Sequence, residues 1–444
     1  MNWNFGQLEC DYCKASFNCS VGLSNKNTVQ VFSFCCYSCS GVLSIEIDPH
    51  RSSDYKLINL KRNENFKGSI FDLKTIKLHI DFPAVFTDGF NPFSPYIMAN
   101  LGLKDGCNIE HFKAITNELN FYSENILKLQ SFFNFYKNKK YKELLIVSQI
   151  LLRDEFDIII KVDSDYINSL SIFEYVTTRD LDVVFYKSLF GMSTSLNKGD
   201  NPDCEVKDIS LYLSGMSKGK LCEFRSYLTN NKYLQSAIET SNRIYSNIYS
   251  NEEFFRPAIF LSDYSGVECK NGKSPLRLVS EKVEVILGIY KDLVEVISKQ
   301  YTLVIGLRNI KENDDYNKST KNKIKIGSRM VVVNNIADFS NVDLGLKIKF
   351  MEGCYFYNDF KSVSHKIRNA IAHNNWEYKE RSQEVVFYYN KGIVDGPEHA
   401  RYECKTILEI NRDIVNLFRL MHKLNIFHYL FNCFWGCEDW SEQE

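Results

Sequence analysis

Four cysteines near the start of the chain fall into two pairs, "CDYC" at 10–13 and "CYSC" at 36–39, with 22 residues between them. No other feature restricts the fold as much. A tetrahedral zinc ion needs four soft donors at about 2.3 Å, and two cysteines separated by two residues can supply a pair of thiolates from one tight turn. Cys10, Cys13, Cys36 and Cys39 are the expected ligands of a zinc ion, with Cys19 and Cys35 as spare candidates. Four thiolates close the coordination shell, so this Zn2+ is expected to be structural, with no position for water or substrate. The competing reading is a set of buried thiols without metal. The segment ends in "GVLSIEID", whose Val42, Leu43, Ile45 and Ile47 suit a short strand. Residues 1–50 are therefore expected to form a small zinc-ribbon-like β module.

The metal reading depends on a reducing compartment, where 14 cysteines serve as ligands or buried apolar groups rather than disulfides. No apolar run reaches the roughly 18 residues that span a bilayer, and "MNWNFGQLECDYCK" lacks a signal pattern. A soluble, cytoplasmic protein without a membrane partner is the expectation. The formal net charge of -1 gives no overall attraction to phosphates, so nucleic acid must be met by local basic patches.

Downstream, apolar spacing is mainly helical. A mixed stretch to about residue 107 holds the strand-like "TIKLHIDF". Helical patterns follow over 108–155, 168–190, 207–250 and from Pro275 to about Ile305. The basic stretches "KNKKYK" and "KSTKNKIKIGSR" read as solvated. Toward the end, a helix is expected over 354–374, then a two-stranded element from "WEYKE" and "EVVFYYN", then a helix over 398–432. Late Cys433 and Cys437 have no second pair and suit core packing, with Trp435 as an apolar contact. The expected fold class is mainly α, with a mostly helical middle region of unassigned role over 51–270 and a helical domain over 271–444.

Within "KIRNAIAHNN", residues 366–375, an Arg and a His lie five positions apart. Such spacing arises roughly once by chance in a chain of this composition, so the context carries the argument. At 100° per residue, Phe356, Phe360, Val363, Ile367, Ala370 and Ile371 fall on one side. Arg368, Asn369 and His373 fall on the other, with His365 a neighbour and Ala372 leaving a shallow gap. The following "NN" suits a helix end, since Asn tolerates the left-handed cap conformation. An imidazole exchanges protons near neutral pH, and a guanidinium stabilises charge on phosphoryl oxygens. Together they suit RNA cleavage by the ribose 2′-hydroxyl without a catalytic metal.

The Arg-Asn-Ala-Ile-Ala-His motif, its amphipathic helix, the strand pair and the closing helix together resemble the HEPN superfamily. The resemblance covers about residues 275–435. It implies a helical bundle with a β-hairpin insertion and a metal-independent endoribonuclease working as a homodimer, with Arg368, Asn369 and His373 of two copies lining one cleft. Family members act as toxins and abortive-infection effectors of antiphage defence, so RNA (tRNA or mRNA) and a phage-derived trigger or protein partner are the implied partners. A different class remains open: a non-catalytic regulator in which the zinc-ribbon module binds nucleic acid or protein and the helices only dimerise.

Overall fold

A computed structural model describes residues 2–51, 54–84, 86–103, 108–160, 178–197, 202–260, 277–279, 282–389 and 401–435. Helices dominate, and most of the β structure lies near the N-terminus. The chain divides into two compact units. The first combines residues 1–124, 249–290 and 369–415, and the second 125–248, 291–368 and 416–444.

The first unit begins with eight strands: β1 (Asn2–Cys10), β2 (Ser16–Gly22), β3 (Gln30–Cys35), β4 (Val42–Ile47), β5 (Tyr55–Ile58), β6 (Leu60–Arg62), β7 (Thr75–His79) and β8 (Phe86–Thr87). They form a five-stranded sheet in the order β6-β1-β2-β7-β8 and a three-stranded sheet β3-β4-β5. Alternation explains the packing: Phe17, Cys19 and Val21 on β2 and Ile76 and Leu78 on β7 share one face. They join Phe32, Leu43, Ile45 and Ile47 of the smaller sheet in a single apolar cluster. Because β1 and β2 pair with β6 and β7, the larger sheet extends past the residue-50 boundary expected from sequence. "TIKLHIDF" is a strand at Thr75–His79, as expected.

Helix Glu252–Ile259 of this unit carries Arg256, which is wholly buried. Its guanidinium reaches Asp81 at 2.9 Å and Glu252 at 2.5 Å, and also donates to Asn120. Paired carboxylates and amides of this kind are what makes a buried cation tolerable. A separate three-stranded sheet joins Trp376–Lys379, Glu384–Tyr388 and Tyr402–Thr406.

Two sequence expectations change there. The strand pair gains a third strand, and the closing helix is Ile407–Leu430 rather than starting near 398. The reason is a capping box: the Thr406 N–H donates to Glu409 Oε2 at 2.8 Å, and the Glu409 N–H donates to Thr406 Oγ1 at 3.2 Å. Thr406 is therefore the helix boundary, and "YECKT" before it is left to pair as a strand. The start of the expected helix, 398–400, lies outside the described residues.

The second unit is mainly helical, with one antiparallel hairpin of Lys323–Ile326 and Arg329–Val332, so part of "KSTKNKIKIGSR" is a strand. The patterns at 108–155 and 207–250 resolve into separate helices, among them Ile126–Lys137, Tyr141–Leu152, Pro202–Ser214, Lys218–Asn230 and Tyr233–Ser250. The 168–190 pattern appears as Thr178–Met192, its first part lying outside the described residues. The long helix expected from Pro275 is Val283–Asn313, and Pro275 is likewise outside them. Residues 300–310 of that helix are buried all round, which makes this stretch the centre of the unit. Some polar side chains within this interior pair with one another. Gln300 donates to Asn425 Oδ1 at 2.8 Å, and the Tyr245 hydroxyl meets His422 Nδ1 at 2.8 Å. Cys433 is buried near Asp182, in keeping with core packing, whereas Cys437 lies outside the described residues. Among the described residues no helix is long and apolar enough to cross a membrane.

Candidate functional site

The four paired cysteines converge. Cys10–Cys13 sits in the turn between β1 and β2, and Cys36–Cys39 in the turn between β3 and β4. The two turns repeat one design. The Lys14 N–H donates to the Cys10 carbonyl at 2.9 Å, and the Ser40 N–H to the Cys36 carbonyl at 3.0 Å. Cys10 and Cys36 in turn donate their N–H groups to Ala15 and Gly41 carbonyls, at 3.0 and 2.9 Å. Lys14 and Ser40 both adopt the left-handed conformation, at φ 62° and 66°, which folds each pair of thiols toward the same point.

Cys10 Sγ lies 3.7 Å from Cys39 Sγ and Cys13 Sγ 3.6 Å from Cys36 Sγ, and all four sulfurs are within 4.8 Å of one another. A tetrahedron with metal–sulfur bonds of about 2.3 Å has edges of about 3.8 Å, so the donor set fits zinc. Burial opposes ionisation of Cys13, but the Ala15 backbone N–H and the neighbouring thiols lower its pKa to about 6. Burial pushes Cys36 the other way, up to about 12. A cluster this tight cannot shed all its protons unless a cation balances the charge. Cys19 and Cys35 take no part. Cys19 packs in the apolar core with its pKa raised by burial, and Cys35 Sγ meets the Glu380 carbonyl at 3.4 Å.

The Arg and His helix is shorter than the sequence suggests. In place of one helix over 354–374 there is a turn of helix at Tyr357–Phe360 and a second helix at His365–Ala372. Serines divide them. Ser362 Oγ donates to the Asp359 carbonyl at 2.6 Å, and Ser364 Oγ accepts from the Ile367 N–H at 3.3 Å, restarting the helix with a new cap. The apolar side survives the break: Phe360, Val363, Ile367, Ala370 and Ile371 are all buried, with Phe356 partly so.

The division between the two units falls after Arg368, within this continuous helix. Arg368 belongs to the second unit, where its guanidinium pairs with Glu295 of the long helix. Sequence reasoning missed Glu295, because a partner 73 residues upstream leaves no local pattern. His365, also in the second unit, is half-buried against Gly345, where a Cβ would come within 2.8 Å of its ring. Burial, helped by Lys366 and Lys349, lowers the His365 pKa. That is the character of a packed side chain.

Asn369 and His373 lie in the first unit, and both are exposed. The helix end there is a Schellman motif: the Asn375 N–H reaches the Ala370 carbonyl at 2.8 Å and the Asn374 N–H the Ile371 carbonyl at 3.2 Å. Asn374 takes the left-handed position at φ 54°, as the "NN" pair suggests. His373 is the last residue before that cap. Its own N–H closes on the Asn369 carbonyl at 3.1 Å, which leaves the imidazole at a fixed helix terminus open to solvent.

The chain matches no protein-family model, no curated protein and no solved structure. The functional reading therefore rests on the residues themselves.

Proposed function

We propose that the chain is a metal-independent endoribonuclease of the HEPN type, with Arg368, Asn369 and His373 as its reacting groups and zinc as a structural ion on the four cysteines. The observation that carries the reading is the helix end. It is an eight-residue amphipathic helix with serine and Schellman caps, an exposed imidazole at its terminus, an exposed amide one turn earlier, and an arginine oriented by a carboxylate.

In the proposed reaction His373 takes the proton from a ribose 2′-hydroxyl as its oxygen attacks the adjacent phosphorus. The bond to the 5′-oxygen breaks, and that oxygen leaves with a proton given by the protonated imidazole of the partner's His373 or by water. Arg368 stabilises the charge that builds on the equatorial oxygens, and Asn369 holds the phosphate or the imidazole in place. Glu295 is a positioning residue, which limits the rotamers of Arg368 before substrate arrives. The products are a 2′,3′-cyclic phosphate and a 5′-hydroxyl. As in the family it resembles, two copies supply the cleft, and the biological role is that of a toxin-like effector of antiphage defence.

The test is RNA cleavage by the full chain in EDTA, with end-group analysis of the products. Cleavage with cyclic phosphate ends, lost by at least a hundredfold in Arg368→Ala and His373→Ala, is expected. Variants that cleave as fast as the native chain, or an inert native chain that is also harmless when expressed in cells, refute the assignment. The second outcome would favour a non-catalytic zinc-binding regulator, the reading that the converging cysteines alone support.

A further inference from the structure

A sheet with one face in a core usually shows its other face to water. The five-stranded sheet of the first unit does not. Register places Asn4, Ser20 and Lys77 side by side across β1, β2 and β7, with Gln7, Asn18 and Thr75 in the adjacent row. These six polar side chains share the face opposite the apolar cluster, yet Ser20, Asn18 and Thr75 are buried. The segments around Ile70 and Gly89–Asn91 roof them over. Asn18 donates to the Ile70 carbonyl at 3.1 Å, Thr75 to the Gly89 carbonyl at 2.7 Å and Lys77 to the Asn91 carbonyl at 2.7 Å. Between sheet and roof is a cavity of about 300 Å³.

Most polar groups here are accounted for by tying the roof down, but two are not. The Lys77 ammonium donates to Ser20 Oγ and the Asn91 carbonyl, both at 2.7 Å, and among the described residues forms no ion pair with a carboxylate. An ammonium has three hydrogens to give, so one donor and a whole positive charge remain unanswered inside a partly desolvated cavity. Desolvation lowers the Lys77 pKa, as it must for a cation lacking a counter-charge. The Gln7 side-chain amide, on the same face, has no hydrogen-bond partner among the described residues. A bulge at Asn4/Gly6, with Gly6 at φ +65°, interrupts the β1–β2 register beside the cavity. Bulges of this kind often re-aim side chains at binding sites.

An anion with further hydrogen-bonding edges would answer both groups at once. The cavity is at the lower end of small-molecule sites and is larger than a bare phosphate needs. An amide such as that of Gln7 pairs donor and acceptor with the edge of a nucleobase, and the ring of Phe90 in the roof offers an apolar surface for a base. We propose that this cavity binds a nucleoside 5′-monophosphate group, with the phosphate on Lys77 and the base against Gln7 and Phe90. The group can come from a free mononucleotide or from the 5′-phosphorylated end of an RNA strand. The proposal does not depend on the ribonuclease reading, since it concerns other residues and is measured by binding.

Isothermal titration of the full-length protein tests it, using the four 5′-mononucleotides, inorganic phosphate, and a trinucleotide with and without a 5′-phosphate. At least one mononucleotide should bind at least tenfold tighter than inorganic phosphate. Lys77→Met should weaken that binding tenfold or more. Gln7→Leu, whose amide has no structural partner to lose, should change the order of preference among the bases while the melting temperature stays put. A phosphorylated trinucleotide that binds as tightly as the mononucleotide marks strand ends as the source, and a weaker one marks free nucleotide. Inorganic phosphate binding as well as every nucleotide, or affinities unaltered in a folded Lys77→Met or Gln7→Leu variant, overturns the proposal.

Discussion

Replacing Cys36 by serine tests the metal reading most directly, because the sulfur geometry fixes how large the effect must be. Zinc binding to structural sites contributes roughly 10–16 kcal/mol. Shared over four thiolates this is about 3 kcal/mol each, or roughly a hundredfold in affinity per ligand. The spacings of 3.6 and 3.7 Å within the sulfur pairs allow all four sulfurs to reach one ion, so none of the four is expendable. A serine hydroxyl is a hard donor that stays protonated near neutral pH and cannot take the place of a thiolate. Because Cys36 is also buried in the apolar cluster, the loss of metal should be felt as lower stability of the first unit. The assay is metal content by mass spectrometry after dialysis against a buffered chelator, with a competition titration for affinity. One zinc per native chain is expected, falling below a tenth in Cys36→Ser. Cys404→Ser, at an exposed cysteine outside the cluster, serves as the control that keeps its zinc. A native chain without zinc, or a Cys36→Ser chain that retains it, would falsify the site.

Two further expectations concern stability. Asn374 holds the left-handed cap at φ 54°, a position glycine fills at lower cost. Asn374→Gly should therefore raise stability by about 0.5–1 kcal/mol, seen as a higher urea midpoint with unchanged slope, and a lower midpoint would refute the cap. In the second unit, burial lowers the pKa of His422 to about 3, with Lys423 adding to it, and that of His428 to about 4. Both lie below the unfolded value of about 6.5, so between those limits the unfolded chain binds more protons. Stability should be constant above pH 6.5 and fall on acidification by about 1.4 kcal/mol per pH unit for each histidine. Urea midpoints that stay level from pH 7 to 5.5, or a slope unaltered in His428→Gln, contradict this.

Local chemistry explains what could be read from the sequence. Thiol pairs on tight turns, the strand at Thr75–His79 and the asparagine cap after His373 are each set by a few adjacent residues, and each is found where the sequence places it. The helix limits were less legible, although signals were present. Thr406 and Glu409 have the spacing of a capping box, and Ser362 and Ser364 compete with the backbone in the middle of an otherwise apolar helical pattern. Periodicity outweighed these polar residues because Phe360, Val363 and Ile367 remain buried across the break. Glu295 beside Arg368, and the polar sheet face around Lys77, depend on partners distant in the chain, so no local window contains them.

The interleaving of the two units also governs how the protein is made. Each is assembled from three separate stretches, and the first is not complete until residue 415 has joined residues 1–124. At a synthesis rate of about 5–20 residues per second, the N-terminal strands wait roughly 15–60 s for their last partners. His373 and its cap are among those late arrivals. A ribosome that stalls, or a message that is cut, before residue 415 thus releases a chain in which neither unit can close. Under the proposed ribonuclease reading, biosynthesis itself would act as a safety catch.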